Sequence, residues 1–227
     1  SSEAQVHLEG ADEPVSEEEL VLGIVELKPV SIKKWIGISD EVVDMRGEEF
    51  LRYIYDELTY RIAKKCADTL VGAIAGLPQT ATASSPSANK LTLAPAVGTI
   101  ANAIANLSDE ANNPVIIMNK LTYGKFKEVA YANGYSVDPF EGLRVIFNNT
   151  LPAYDSASSG NVYAIVGDLG FGAVANFPNG EGVEIKYDET TLMTDDIVRI
   201  LGRRFVGMGV VADKAFTLIA KPGEASE

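Results

Sequence analysis

One long amphipathic segment constrains the fold of this chain more than any other feature. Between residues 47 and 75, apolar residues recur at spacings of three and four, as they do along one face of an α-helix. The members of this stripe are Phe50, Leu51, Ile54, Leu58, Ile62, Cys66, Leu70 and Ala73. Acidic residues precede basic ones, which suits the helix dipole, and Gly76 and Pro78 end the segment. Such a helix would be about 43 Å long, so we expect it to form the spine of an elongated domain.

Extended segments lie on both sides of this helix in the chain. Residues 30–38 alternate, with Ile36 on one face and Trp35 on the other, which predicts a strand. Ser39 is expected to cap a short helix between this strand and the long helix. Later strands are expected at 183–187, at 194–211 and at 215–220.

The middle of the chain has a different pattern. Residues 77–93 are rich in Ser, Thr, Ala and Pro and lack periodicity, which predicts a loop between subdomains. Beyond this loop we expect helices at 95–107 and 121–132, and strands at 115–118, 143–147 and 163–166. This alternation indicates a mixed α/β subdomain.

The N-terminal segment is strongly acidic. Seven acidic residues lie within residues 1–19, and no lysine or arginine precedes Lys28. They are Glu3, Glu9, Asp12, Glu13, Glu17, Glu18 and Glu19. Strands at 4–9 and 20–27, joined by a polar turn, would form a long hairpin. The segment is therefore interpreted as a detached acidic arm or loop, the alternative being a solvated, frayed terminus.

Composition argues against several classes of protein. With 227 residues, 46% of them hydrophobic, the chain can bury the core of one large domain or two interlocked ones. No run approaches the ~18 apolar residues of a membrane span, and the acidic start is unlike a secretory signal. Cys66 is the only cysteine, which excludes an intramolecular disulfide and favours a reducing compartment. A net charge of −13 opposes nucleic-acid recognition.

Residues that usually carry catalysis are scarce or poorly placed. His7 is the only histidine and lies in the predicted hairpin, so no Ser/His/Asp or Cys/His centre is expected. The spacing of Gly170, Gly172 and Ala175 matches a dinucleotide fingerprint, but residues 178–180 (Pro-Asn-Gly) leave no room for the helix that must follow. We therefore interpret it as a glycine-rich turn between strands.

Metal-binding patterns are equally weak. The acidic pairs Asp188-Glu189 and Asp195-Asp196 lack the alternating spacing and central glycine of a calcium loop. Cys66 lies on the apolar stripe, where it would pack as a small hydrophobic residue. The sequence predicts no catalytic, cofactor-binding or metal site.

A series of short segments occurs in a fixed order along the chain. It includes Trp35-Ile36-Gly37-Ile38-Ser39 before the spine helix and Ile116-Ile117-Met118-Asn119 after it. The remaining segments are residues 27–29, 48–76, 142–145, 151–152, 166–168, 183–184, 199–204 and 213–218. In order and spacing they resemble the HK97-type major capsid proteins of tailed bacteriophages and prophages.

The resemblance implies an α+β, HK97-like capsid fold with an extended β-hairpin loop, a peripheral domain and an inserted mixed α/β axial domain. The peripheral domain would contain the long spine helix and long β-strands. The expected boundaries are 1–28 for the loop, 29–76 and 177–211 for the peripheral domain, 77–176 and 212–222 for the axial domain, and 223–227 for the tail. Because the family usually has an N-terminal arm before this loop, the chain is expected to be a truncated or processed form.

The implied function is that of a non-enzymatic major capsid protein, assembled as pentamers and hexamers of an icosahedral phage head around double-stranded DNA. The resemblance also implies a scaffolding segment or protein, a portal and a maturation protease as partners, and assembly in the bacterial host cytoplasm. No cofactor and no membrane are expected. An encapsulin-type nanocompartment shell is the first alternative, and an α/β nucleotide-binding enzyme is the second.

Contacts between subunits are expected to be electrostatic in part. The acidic hairpin of one subunit would lie over basic groups of its neighbour. The candidate residues are Glu9, Glu17, Glu18, Glu19, Arg61, Lys64, Lys65, Arg199, Arg203 and Arg204. Some members of the family join a loop lysine to an asparagine. Here no lysine precedes Lys28 and Asp196 stands near the asparagine position, so we expect no isopeptide cross-link.

Overall fold

The computed structural model describes residues 25–82, 85–134, 138–188 and 197–223. Within these ranges lie nine strands and four helices. The strands are β1 Val30–Ser39, β2 Asn89–Thr92, β3 Val115–Met118, β4 Val145–Phe147, β5 Val162–Gly167, β6 Ala173–Asn176, β7 Glu184–Asp188, β8 Ile197–Val210 and β9 Phe216–Ala220. The helices are α1 Asp40–Ala75, α2 Thr99–Ile104, α3 Lys120–Ala132 and α4 Leu169–Gly172.

The long strand β8 organises a four-stranded antiparallel sheet. β1 pairs with it from Val30, opposite Val206, to Ser39, opposite Ile197. β7 and β6 pair with successive stretches of β8 at 199–203 and 207–210. The strands predicted at 30–38 and 183–187 are therefore confirmed, as is the long strand over its described residues.

Helix α1 packs across this sheet without the predicted interruption. It runs for 36 residues from Asp40 to Ala75, so the expectation of a separate short helix after Ser39 is wrong. Ser39 does occupy the N-cap position, although its side chain makes no capping hydrogen bond. A single glycine at position 47 costs only ~1 kcal/mol relative to alanine, too little to divide a helix that packs along a sheet.

The apolar stripe of α1 winds around the helix as it proceeds. Its central members are buried, namely Ile54, Leu58, Ile62 and Cys66. Ala73 is exposed, however, and Val71 and Ile74 are buried instead. A spacing of four overshoots the 3.6-residue turn, so each step moves the buried face around the helix by about 40°. The last turns of α1 therefore pack against the second sheet.

The second sheet is mixed and has the strand order β2-β9-β5-β3-β4. β9 and β5 are antiparallel, as are β5 and β3, whereas β2 and β4 run parallel to their neighbours. Alternate residues of β3 face opposite clusters: Ile117 packs with Ile74 of α1, and Ile116 packs with Phe126 of α3. Because both faces are covered, all five residues of β9 are buried.

Three predictions in this region need correction. Residues 77–93 are not wholly a loop, because β2 forms beside β9. The predicted helix at 95–107 is reduced to α2, and the predicted strand at 143–147 begins only at Val145. The short β2 depends on parallel hydrogen bonds to a strand more than a hundred residues away, which leaves little local signal.

The predicted N-terminal hairpin falls almost entirely outside the described residues. Only positions 25–27 of its strands are included, and they form no strand. Among the described residues, no helix is both long enough and apolar enough to span a membrane.

Candidate inter-subunit surfaces

The basic residues predicted on α1 are solvent-exposed, but they differ in their partners. The Nε of Arg61 donates a hydrogen bond of 2.6 Å to Glu57 one turn earlier. This hydrogen bond raises the pKa of the Arg61 guanidinium. Lys64 and Lys65 are exposed and make no ion pair with any described residue. The two lysines are therefore more available to a neighbour than Arg61 is.

The arginines of β8 are divided between the two faces of its sheet. Arg203 donates two hydrogen bonds to Glu184 of the adjacent β7, at 2.7 Å and 2.9 Å. This pairing lowers the pKa of the Glu184 carboxyl. Arg199 lies on the same face, opposite Gly37 of β1 and Asp188 of β7. Arg203 is thus already neutralised within its own subunit.

Arg204 faces the other side, towards α1. Its guanidinium lies 4.2 Å from the centre of the Phe177 ring, and its Nε is buried without a hydrogen-bond partner among the described residues. Burial raises the pKa of the nearby Cys66 thiol, and the charge of Arg204 opposes that effect. Cys66 is 7% exposed and packs with Ile62, as expected for a small hydrophobic residue.

A groove between α1 and β4 was not predicted from the sequence. We call it the α1–β4 groove; it has a volume of about 490 Å³ and is lined mainly by Tyr60, Ala63, Lys64, Lys120, Ile146 and Phe147. The Nδ2 of Asn148 donates a hydrogen bond of 2.8 Å to Asp68 and so joins the two walls. Because α1 and β4 are about eighty residues apart in sequence, no local pattern could have revealed this site.

The glycine-rich segment at 170–175 does not form a phosphate-binding loop. It contains the single-turn helix α4 and then β6. The Oδ1 of Asp168 accepts hydrogen bonds from the backbone N–H groups of Gly170 and Phe171. Burial alone would raise the pKa of Asp168, but the backbone hydrogen bonds, including one from Asn113, lower it. These amides are therefore already occupied by a carboxylate of the same chain.

The predicted site residues fall partly outside the described part of the chain. Glu9, Glu17, Glu18 and Glu19 lie outside the described residues, as does Asp196. Of the basic candidates, Arg61, Lys64 and Lys65 lie close together on the exposed surface of α1. The three arginines lie on the two faces of β8, so the six do not form one patch. Within the described ranges, no group of three or more His, Cys, Asp or Glu residues could hold a metal ion.

Comparison with known proteins places this geometry in context. The model of the phage capsid family matches residues 1–220. The capsid of a native GTA particle is similar in structure, with 15% identity and a TM-score of 0.62, covering 86% of this chain and 73% of that one. The structure from Gordonia phage Cozz has 17% identity and a TM-score of 0.60, covering 100% of this chain and 80% of that one.

A third similar structure is the SrpI encapsulin complex from Synechococcus elongatus. It has 10% identity and a TM-score of 0.63, with coverage of 87% of this chain and 75% of that one. At these identities the structural matches show a shared fold. No curated protein matches the sequence.

Proposed function

The chain belongs to the phage capsid family and is a major capsid protein, and on this premise we propose that it assembles into the pentamers and hexamers of an icosahedral head enclosing double-stranded DNA. The observation that carries the proposal is the exposure of large apolar side chains on several elements. They are Trp35 on β1, Tyr53 and Tyr60 on α1, Leu121 and Tyr131 on α3, and Phe147 on β4. A subunit that contacts several neighbours around a ring needs separate surfaces of this kind.

The fold alone does not distinguish a phage head from an encapsulin shell, because both have HK97-like subunits. The family match is to phage capsids, and the encapsulin is similar in fold only. This difference favours a genome as the contents of the shell. A terminase or portal gene beside this one would support the proposal, whereas a gene for a peroxidase or ferritin-like cargo would contradict it.

The two sheets support a division into two domains. Our proposal for the peripheral domain is 29–76 with 177–211, because β1, α1, β7 and β8 pack together. For the axial domain it is 77–176 with 212–222, which includes the five-stranded sheet. β6 pairs with β8, so residues 173–176 would move with the peripheral domain.

A structural role without catalysis fits the site geometry. The amides that a nucleotide phosphate would need at 170–172 are engaged by Asp168. A thermal shift with nucleotides would contradict this part of the proposal, since a ligand that binds only the native state raises its stability.

For the acidic segment, we propose a place on the surface of a neighbouring subunit. Seven acids without a base need counter-charge, and Lys64 and Lys65 are exposed candidates that form no ion pair with any described residue. Replacing Glu17, Glu18 and Glu19 by lysine should weaken assembly, most clearly at low salt. Normal assembly of this variant would refute the idea.

The other partners are proposed from the family alone: a scaffolding segment or protein, a portal and a maturation protease, with assembly in the host cytoplasm. DNA would be enclosed without sequence-specific contacts, because a net charge of −13 favours release over retention. We also predict that mature shells lack covalent cross-links. Denaturing gels should then show a single monomer band, and a ladder of larger bands would show the prediction to be wrong.

Electron microscopy of the protein expressed alone tests the central proposal. We expect closed shells built from pentamers and hexamers. A uniformly monomeric protein at concentrations typical of capsid assembly would refute self-assembly.

A further inference from the structure

The α1–β4 groove has the chemistry of a peptide-binding site. Its apolar lining includes Ala63, Ala67 and Ile146. Tyr60 and Phe147 also line it, with 60% and 45% of their surfaces exposed. Small alanine side chains on the helix leave room for another chain to approach closely. A soluble protein usually covers aromatic side chains that border such a depression, so the groove is expected to have an occupant.

Two lysine side chains, those of Lys64 and Lys120, line this groove. Lys64 extends from α1, and Lys120, at the start of α3, lies 5.7 Å from the centre of the Phe147 ring. Neither forms an ion pair with any of the described residues. Asp68, the acidic residue of the lining, accepts a hydrogen bond from Asn148. An occupant with carboxylates next to apolar side chains would match both parts of the groove.

We propose that the α1–β4 groove binds residues 17–22 of a second copy of the chain, an inference that rests on the proposed self-assembly. This segment reads Glu-Glu-Glu-Leu-Val-Leu. Its glutamates would pair with Lys64 and Lys120, and Leu20 and Leu22 would cover the apolar part of the lining. The proposal names the surface that receives the acidic segment, and it excludes the arginines of β8 from that role.

The position of Leu27 favours a second copy over the same chain. A Cβ on Gly209 would meet Leu27, and Gly209 belongs to the face of β8 that points away from α1. The chain therefore leaves the described region on the opposite side of the sheet from α1. To reach its own groove, the segment would have to pass around the sheet and then around a helix ~10 Å thick.

Disulfide trapping between two variants tests this contact. Both variants carry Cys66→Ala, which removes the only native cysteine. One also carries Ala63→Cys in the groove, and the other carries Leu20→Cys. The two are mixed, assembled and oxidised. We expect disulfide-linked dimers on a non-reducing gel, because a disulfide requires Cα atoms about 4.4–6.8 Å apart.

The matched control places the cysteine elsewhere on the same helix. Ala73 is also an exposed alanine of α1, ten residues further along and so about 15 Å away. The yield of dimer with Ala63→Cys should exceed that with Ala73→Cys by about tenfold, given the narrow geometry of a disulfide. If shells form but the two cysteine positions give equal yields of dimer, or no dimer at all, the groove assignment is overturned. Failure to form shells with unmodified protein would instead refute self-assembly, and the groove proposal with it.

A charge exchange provides a second test that leaves Cys66 in place. Lys64→Glu with Lys120→Glu should weaken assembly about tenfold, the sum of two modest ion pairs. Adding Glu17→Lys, Glu18→Lys and Glu19→Lys should restore it. The control, Lys33→Glu with Lys90→Glu, has the same net charge of −17 but changes exposed lysines outside the groove lining. Equal loss in both double variants, or no restoration, would overturn the proposal.

Discussion

Helix α1 approaches β8 tightly at Gly202, which permits a quantitative test of how the two elements pack. A Cβ added to Gly202 would lie 2.9 Å from Cδ1 of Ile62 and 3.5 Å from Leu58. Ile62 is 1% exposed and Leu58 is fully buried, so neither side chain can move into solvent. Gly202→Ala should therefore be destabilising, and Ile62→Val, which deletes the clashing atom, should relieve the effect.

The expected sizes follow from opposing contributions. Replacing a strand glycine by alanine gains ~0.5–1 kcal/mol of backbone entropy. Overpacking costs ~1–3 kcal/mol, so Gly202→Ala should lower the free energy of unfolding by about 1–2 kcal/mol. Ile62→Val alone should lower it by ~0.5–1.5 kcal/mol. In the double variant the added methyl group fills the space left by Cδ1 of Ile62, so the stability of the double variant should be close to that of Ile62→Val. The coupling free energy between the two substitutions should therefore be about 1–2 kcal/mol.

Equilibrium urea unfolding of unassembled subunits measures the four free energies of this cycle. Unassembled protein is needed because contacts with neighbours would add to the apparent stability. If the two single effects add to within ~0.5 kcal/mol, Gly202 does not contact Ile62 as described, and the close packing of α1 on β8 is wrong.

Two further predictions concern local interactions. Hydrogen bonds from Asn113, Gly170 and Phe171 hold the pKa of Asp168 in the folded state below its value in the unfolded state. The contribution of Asp168 to stability is therefore fully present above the unfolded-state pKa and is lost as the pH falls through the folded-state pKa. Asp168→Ala should thus lower the free energy of unfolding by ~1–3 kcal/mol at pH 7, and by progressively less in acid. Urea unfolding at a series of pH values measures this loss, and a loss that does not change with pH would contradict the prediction. Gly72 of α1 has open space where a Cβ would lie, so Gly72→Ala should raise the free energy of unfolding by ~0.5–1 kcal/mol. A decrease in the free energy of unfolding would show that this position is not open.

Much of the four-stranded sheet and of helix α1 could be predicted, because each element has a periodic pattern of its own. The alternation of β1 and β7 and the end of α1 at Gly76 depend on local residues, and they agree with the structure. β2 could not be predicted, since its pairing depends on β9. The strand at 194–211 was predicted, but the pairing of Arg203 with Glu184 depends on a neighbouring strand.

The α1–β4 groove was missed for a similar reason, because its two walls come from separate elements. Tyr60 and Lys64 read as the solvated face of a helix, and Phe147 reads as part of a short strand. Only the packing of α1 beside the five-stranded sheet brings them together. A surface that forms from distant segments leaves no spacing to recognise, even when each segment is predicted correctly.

The distribution of charge explains how strongly acidic subunits could associate. Copies with a net charge of −13 repel one another, and salt screens that repulsion over about 8 Å at physiological ionic strength. Arg61 and Arg203 contribute little to attraction, since Glu57 and Glu184 neutralise them internally. Lys64 and Lys120 remain as local attractive sites, so added salt has two opposing effects: it reduces the general repulsion and weakens the groove contact. Assembly should therefore be most favourable at intermediate salt, whereas a Lys64→Glu, Lys120→Glu variant should only improve as salt is added.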